Sequence, residues 1–528
     1  MEQQSALDRF KDTPEFILLV ASYLDQEDII SLQVTSRKMY SHTHPLYYRR
    51  VYLDGSSSLS NLRQAAIHAR YISSLTVEEE IRGSYYSAIA EVFKIPRQDI
   101  NIESVEQLNF LGRILSGIGT LESLTLEISS SGPAGTFLTT IIHSCPPLVK
   151  SLSLNINIPL DITSTLEDSR EDAIAEVSAE VSGPLENRRT PLTRLTSLEC
   201  LSHDWVDGEE YMSILEFLPA LETINIPAID PAHRVALRIA ECCPRLKNLF
   251  QSGSSPDKRG NMALQLLQAL PENTVESFSF IRVQELPSSR NLLGLDSHFL
   301  SLKNISFDPC CRVNQATVNA ILFQCPELEV FKITSYAHSN FEITLQGIVK
   351  KPWASTKFKE LRLVLTLYEL AKLPMDFYLE EDMTPSGEKR LNKFYQQLGA
   401  LRELRVLDLK VDFDKGGMYD DDEPVEYYHY SFPGMLTLED SRRYRKGWLE
   451  LLGGLENLEE LRGSFNLEAM LEGFEFGQAE AYWIGENWPK LKVIELFTRR
   501  RAKKAKRKMP QMAQYLQHKL PALQVTVY

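Results

Sequence analysis

Through the middle of this 528-residue chain, an apolar residue is followed repeatedly by apolar residues three and five positions on. The triples are Leu195, Leu198 and Cys200; Leu221, Ile224 and Ile226; Val275, Phe278 and Phe280; Leu302, Ile305 and Phe307; Leu328, Phe331 and Ile333. Leu246 and Leu249 start another, which Gln251 breaks off. The first members lie at 195, 221, 246, 275, 302 and 328, at spacings of 26, 25, 29, 27 and 26. Any one triple is common by chance, but the steady spacing is not. Residues two apart share one face of a strand, so each triple predicts a short strand with its second and third members turned inward. The pattern returns at Ile72, Leu121, Val149, Phe358, Leu404, Leu458 and Leu491, with wider gaps where insertions intervene. A unit of this length cannot bury its own apolar face, so successive units must stack.

Between strands the spacing predicts a helix, most clearly in "DPAHRVALRIAECCP". There Asp230 can cap, Pro231 suits the first turn, and Ala232, Val235, Ala236, Ile239, Ala240 and Cys243 recur at helical spacing. Cys145 and Cys325 close equivalent stripes, and each of the three cysteines precedes a proline. In other repeats Leu218 and Leu270 hold the same place. A position that accepts leucine is a packing position rather than a ligand, and free cysteine behaves as a small buried hydrophobe.

A strand and a helix every 26 or so residues, joined by the phrase proline, any residue, leucine, resembles the leucine-rich repeat, most like its cysteine-containing subtype. The resemblance implies an α/β fold: a solenoid with one short strand and one helix per repeat, its strands forming a curved parallel sheet on the concave side. It covers most of residues 70 to 528, and the solenoid is expected over 51–528. Loop insertions are expected near 155–193, 369–400 and 412–447; the last holds "YDDDEPVEYYHYSF", read either as a grip for a basic partner or as a solvated loop.

Residues 1–50 have a different rhythm. Thr13 can cap a first helix that carries Ile17, Val20, Ala21 and Leu24, and Asp25 can cap a second with Ile29 and Leu32. A third segment runs from Val34 toward His44, ahead of Pro45. So short a unit buries little on its own. The order Pro14, Glu15, Ile17, Leu18, Leu24, Asp28, Ile29, Leu32, Val34 and Arg37 resembles the F-box, a small three-helix head. Thr13 stands where that family usually has leucine, and Met39-Tyr40 where tryptophan is common. The resemblance implies that these residues dock a Skp-type adaptor and, through it, a cullin-RING (SCF-type) ubiquitin ligase. The alternative is a helical cap on the first repeat, with the chain a stand-alone protein-binding scaffold and no ubiquitin role.

Composition narrows the remaining classes. With 43% hydrophobic and 24% charged residues the chain should fold, and a formal net charge of -14 argues against wholesale nucleic-acid binding. The run Arg499 to Lys508 is the exception, and reads either as a nuclear import signal or as a solvated helix face. No apolar run long enough to span a membrane occurs, the N-terminus does not read as a secretion signal, and seven cysteines without Cys-x-x-Cys do not suggest a disulfide framework, so cytosol or nucleus is expected. Neither nucleotide-binding, zinc-protease nor serine-hydrolase motifs occur, so no catalysis, cofactor or metal is expected. The target is unidentified. Strand residues beside the buried ones are mostly Ser, Thr and Asn early but charged later, as Lys332, Arg362, Asp408, Lys410, Arg462 and Glu495. The later half of the concave face is therefore the expected target-binding site.

Overall fold

A computed structural model describes residues 14–21, 23–24, 26–53, 68, 71–77, 120–129, 138–139, 141–143, 145–157, 190–202, 206–226, 229–230, 232–252, 262–281, 294–307, 313–334, 343–366, 384–412, 432, 435–440, 445–463, 478–496 and 511–527. The basic run at 499–508 and most of the insertion at 155–193 lie outside these residues. Two compact units divide the chain, Met1–Leu246 and Lys247–Tyr528.

The first unit opens with three helices, α1 (Pro14–Ala21), α2 (Gln26–Gln33) and α3 (Arg37–Tyr47). Ser36 caps α3 by accepting from the Met39 amide at 3.1 Å, so the helix starts later than Val34. It also continues through Pro45 to Tyr47, because one missing amide does not outweigh the bonds around it. Strands β1 (Arg50–Leu53), β2 (Ser74–Val77), β3 (Ser123–Ser129), β4 (Ser151–Asn157), β5 (Ser197–Ser202) and β7 (Thr223–Ile226) then pair in parallel, each with the next. A small parallel pair, β6 (Val206–Asp207) and β8 (Ile229–Asp230), leads into helices α4 (Gly208–Leu215) and α5 (Ala232–Cys242).

The second unit repeats the plan. Strands β9 (Asn248–Ser252), β10 (Ser277–Ile281), β11 (Asn304–Phe307), β12 (Val330–Ile333), β13 (Glu360–Thr366) and β14 (Val406–Asp412) pair in parallel in that order, and β17 (Glu460–Gly463), β18 (Val493–Leu496) and β19 (Gln524–Val527) follow. An antiparallel pair, β15 (Glu439–Asp440) with β16 (Arg445–Lys446), lies between β14 and β17 in the chain. The helices are α6 (Met262–Ala269), α7 (Gln315–Gln324), α8 (Leu345–Ile348), α9 (Pro385–Gly399), α10 (Gln478–Asn487) and α11 (Gln511–Lys519); single 3-10 turns at Asp296–His298 and Leu449–Leu452 replace two others. The architecture is that of a leucine-rich-repeat solenoid, with strands that mostly turn an apolar pair inward and helices or turns on the way back.

The triples anticipated from sequence fill the core: Leu195, Leu198, Cys200, Leu221, Ile224 and Ile226 in the first unit, and Val275, Phe278, Phe280, Leu302, Ile305, Phe307, Leu328, Phe331 and Ile333 in the second are all buried. Gln251 breaks its triple because its side chain is used inside: Oε1 accepts from the Ala263 amide at 3.0 Å, satisfying a donor that the start of α6 leaves open. Gly463 stands where other triples have a third apolar residue. Its φ is +115°, and a Cβ there would lie 2.1 Å from the Leu409 carbonyl oxygen, so only glycine fits this approach of β17 to β14.

Cys145, Cys243 and Cys325 behave as the leucines do. The amide of each donates to the carbonyl four residues back, at 2.9, 2.8 and 3.1 Å, as Leu270 does at 2.9 Å. All three side chains are buried. Burial pushes the Cys200, Cys243 and Cys325 thiols up to about 12, far from the reactive thiolate.

The insertion expected at 369–400 needs correction. Residues 385–399 are α9, capped by Thr384 and burying Leu391, Phe394, Tyr395 and Leu398, so they are the helix of a repeat. The long gap between Phe358 and Leu404 hid it within an apparent loop. Most of 412–447, including nearly all of "YDDDEPVEYYHYSF", lies outside the described residues; Phe432 within it is buried and stacks on Phe394 with ring centroids 5.7 Å apart.

Candidate binding surfaces

The head offers the first surface. Ile17, Ala21, Ile29 and Met39 form its interior, since α1 and α2 both pack on α3. Ile17 and Ile29, expected from sequence to dock a partner, are buried within the head. Leu24 and Leu32 are half-buried, while Asp28 and Arg37 are exposed. Pro14 and Glu15 begin α1, and their side chains lie outside the described residues. What remains outside is apolar: Leu18, Val20, Ile30 and Tyr40 are exposed, and Tyr23 and Val34 reach 83% and 81%. The F-box resemblance named Leu18 and Val34 among the expected docking residues but not Tyr23, Ile30 or Tyr40. Helical spacing alone marks Ile30 as the residue beside the buried Ile29.

The second surface is the outer side of β12 to β14, β17 and β18. Lys332, Arg362, Asp408 and Arg462 each stand between inward residues, and the register puts Lys332 beside Arg362, Arg362 beside Asp408, and Asp408 beside Arg462. Lys410 is two residues beyond Asp408 on the same face, and Glu495 meets Arg462. The face is brought together as the sequence implied, but its charges are engaged with one another. Glu360 receives Lys332 at 2.8 Å and Arg362 at 2.6 Å, and Arg462 reaches Glu460 at 2.7 Å and Glu495 at 2.8 Å. Arg362 stays 3.6 Å from Asp408, and Lys410 stays 3.9 Å from it. Burial works against ionisation of Glu360, yet hydrogen bonds from Lys332 and Arg362 outweigh it and hold the carboxyl below its ordinary range. Asp408 itself is buried despite its outward position.

A second charge pattern escaped the sequence reading. The residue after the first member of each triple in the second unit runs Lys247, Glu276, Lys303, Glu329, Lys359, Arg405, Glu459, Lys492. Each amide from Glu276 onward donates to the carbonyl of the one before, at 2.7 to 2.8 Å. Except at Lys359 and Arg405, opposite charges therefore fall on adjacent repeats: Lys303 lies 2.7 Å from Glu276, Lys359 lies 2.6 Å from Glu329, and Lys492 pairs with Glu459. The hydrogen bond from Lys303 is the main reason the Glu276 carboxyl sits below its usual value. The alternation was available in the sequence to anyone reading that position.

Among the described residues, no group of three or more His, Cys, Asp or Glu is placed to hold a metal ion, and no helix is long and apolar enough to cross a membrane. No family model and no curated protein matches the sequence. Among solved structures, the chain is similar to the leucine-rich repeat-containing protein LegL7 from Legionella pneumophila, with 16% identity over 54% of this chain and 83% of that one and a TM-score of 0.29. It is similar also to the Rad7 and Elc1 complex of yeast, with 14% identity over 68% and 89% and a TM-score of 0.34. A third is the TLR13-ssRNA13 complex, with 13% identity over 87% and 74% and a TM-score of 0.22.

Proposed function

We propose that this chain is a substrate receptor of a cullin-RING (SCF-type) ubiquitin ligase, its F-box-like head docking a Skp-type adaptor and its repeats holding a target protein. The supporting observation is the set of exposed apolar side chains on the head, Leu18, Tyr23, Ile30 and Val34, on a unit too small to cover them itself. Pro14, Glu15, Leu24, Asp28, Leu32 and Arg37 would flank that contact, and Ile17 and Ile29 would support it from within. The repeats would bind and position rather than catalyse, so acceleration would come from holding target lysines near the charged enzyme of the ligase. Residence in cytosol or nucleus goes with this reading, with Arg499 to Lys508 as its import signal.

The stand-alone scaffold has one observation in its favour. His68 stacks on Tyr48 with centroids 4.1 Å apart and meets His44 at 4.8 Å, which ties α3 to the chain entering β2, as a cap would. Co-expression of the full chain with a Skp-type adaptor separates the readings. The wild type should be captured, and Leu18→Asp with Val34→Asp should lose capture while keeping its melting temperature, because both sites are exposed. No capture of the wild type, or equal capture of the double variant, would leave the scaffold reading.

A further inference from the structure

Glu199 is the carboxylate in a row otherwise made of hydroxyls and an amide. The register aligns Thr76, Thr125, Ser153, Glu199 and Asn225 across β2, β3, β4, β5 and β7. Glu199 stands between Leu198 and Cys200, both buried, so its half-buried side chain leaves β5 on the side away from the core. Ser153 Oγ donates to Oε2 at 2.7 Å and Asn225 Nδ2 approaches Oε1 at 3.4 Å, one contact from each flanking strand. The carboxylate is thereby held in place, while Oε1 keeps room for a stronger donor, since an ionised carboxylate has about four acceptor sites.

No countercharge answers it. The outward carboxylates of β13, β14, β17 and β18, namely Glu360, Asp408, Glu460 and Glu495, are each ion-paired with a lysine or an arginine. Glu199 has no such partner among the described residues, and its neighbours in the row are uncharged. An incoming cation therefore meets one ordered carboxylate and no like charge beside it, while an incoming anion is repelled. A guanidinium fork binds both oxygens of a carboxylate and would have to share Oε2 with Ser153, whereas an ammonium needs Oε1 alone. Ser197, two residues back on the same face of β5, offers that ammonium a hydroxyl acceptor.

We propose that Glu199 recognises a lysine side chain of a partner polypeptide, whose ammonium donates to Glu199 Oε1 and to the Ser197 hydroxyl. This rests on the target-binding half of the proposed function and adds to it a contact on the hydroxyl face of the first unit. It is independent of adaptor docking.

The probe is the peptide Gly-Ser-Lys-Ser-Gly, acetylated and amidated so that lysine carries its only charge, titrated against the full chain by ligand-observed NMR. Counterpart peptides carry Nε-acetyl-lysine, arginine or glutamate in place of lysine. Wild type should bind the lysine peptide more tightly than all three, and added salt should weaken that binding. Glu199→Gln, which keeps an acceptor for Ser153, should raise Kd about ten-fold, the worth of one hydrogen bond to a charged group. Ser197→Arg should raise it as much, because the new guanidinium would take Glu199 as Arg362 takes Glu360, two residues away on its own strand at 2.6 Å. Absent binding by wild type, an unchanged Kd in either variant, or preference for any counterpart peptide would overturn the site. Should Glu199→Gln melt below wild type, Ser197→Arg decides, since its carboxylate is intact and an unchanged Kd there still overturns the site. The assay uses neither adaptor nor ligase, so its failure removes this site and leaves adaptor capture standing, and failed adaptor capture leaves the site standing.

Discussion

Replacing Arg362 by glutamate tests whether the charges on the outer face of the second unit form one network. In the native arrangement Arg362 is hydrogen-bonded to Glu360 at 2.6 Å and lies 3.6 Å from Asp408. Reversal turns both attractions into repulsions. Two unit charges about 4 Å apart at an effective dielectric near 20 interact by about 4 kcal/mol. Water screens part of this, since Arg362 is 28% exposed and Glu360 17%, and Lys332 remains beside Glu360 at 2.8 Å. Exposed pairs contribute about 0–1 kcal/mol, and breaking a buried pair costs about 3–5 kcal/mol. Arg362→Glu should therefore cost about 2–4 kcal/mol. Arg362→Met, which keeps the stem without the charge, should cost about 1–2 kcal/mol.

Urea unfolding followed by tryptophan fluorescence reads this unit, because four of the five tryptophans, Trp353, Trp448, Trp483 and Trp488, belong to it. A pH series adds a signed check. Glu360 has its carboxyl lowered from an ordinary value of 4.5, so the stability it contributes is present above that value and is lost as pH falls through the lowered one. The gap between wild type and Arg362→Met should narrow as the pH falls below 4.5 and close once it has passed through the lowered value. If Arg362→Glu stays within about 0.5 kcal/mol of wild type, as an ordinary surface substitution would, the charges are independent and the network is refuted.

Cys243→Leu should flatten the loss of stability at alkaline pH. Burial raises this thiol from 9.0 to about 12, so its contribution is complete below about 9 and declines as pH climbs toward 12, by up to about 1.4 kcal/mol per pH unit. Unfolding at pH 8, 10 and 11 checks it, and parallel declines in the two proteins would contradict a buried protonated thiol. Gly463→Ala should cost about 2 kcal/mol or more, because its backbone is left-handed at φ +115° and its new Cβ would meet the Leu409 carbonyl. A neutral effect on the urea midpoint would mean that β17 does not approach β14 as described.

The side of each strand that faces the core was legible in the sequence, because alternation with a steady repeat leaves one burial pattern. Ile305, for example, is fully buried, as are Leu198 and Phe331 at the same place in their own triples. The cysteines were legible for the same reason, since Leu218 and Leu270 stand in for them and share their burial. The helix Pro385–Gly399 was less so: its apolar stripe is in the sequence, but the gap around it was too long for the repeat to claim it.

Which charged residue answers which was decided only by tertiary structure. Alternation says that Asp408 points outward, but not that it would be buried there, and it says nothing of Glu360 gathering both Lys332 and Arg362. In the head, helical spacing put Ile17 on an apolar stripe, and only the packing of α1 and α2 on α3 determined that Ile17 turns inward while Leu18 and Val34 stay outside. Periodicity is a local property and fixes the face of an element. Pairing depends on residues that stacking brings together from distant parts of the chain, as Arg462 and Glu495 are across 33 positions, and only the folded repeats supply that neighbour.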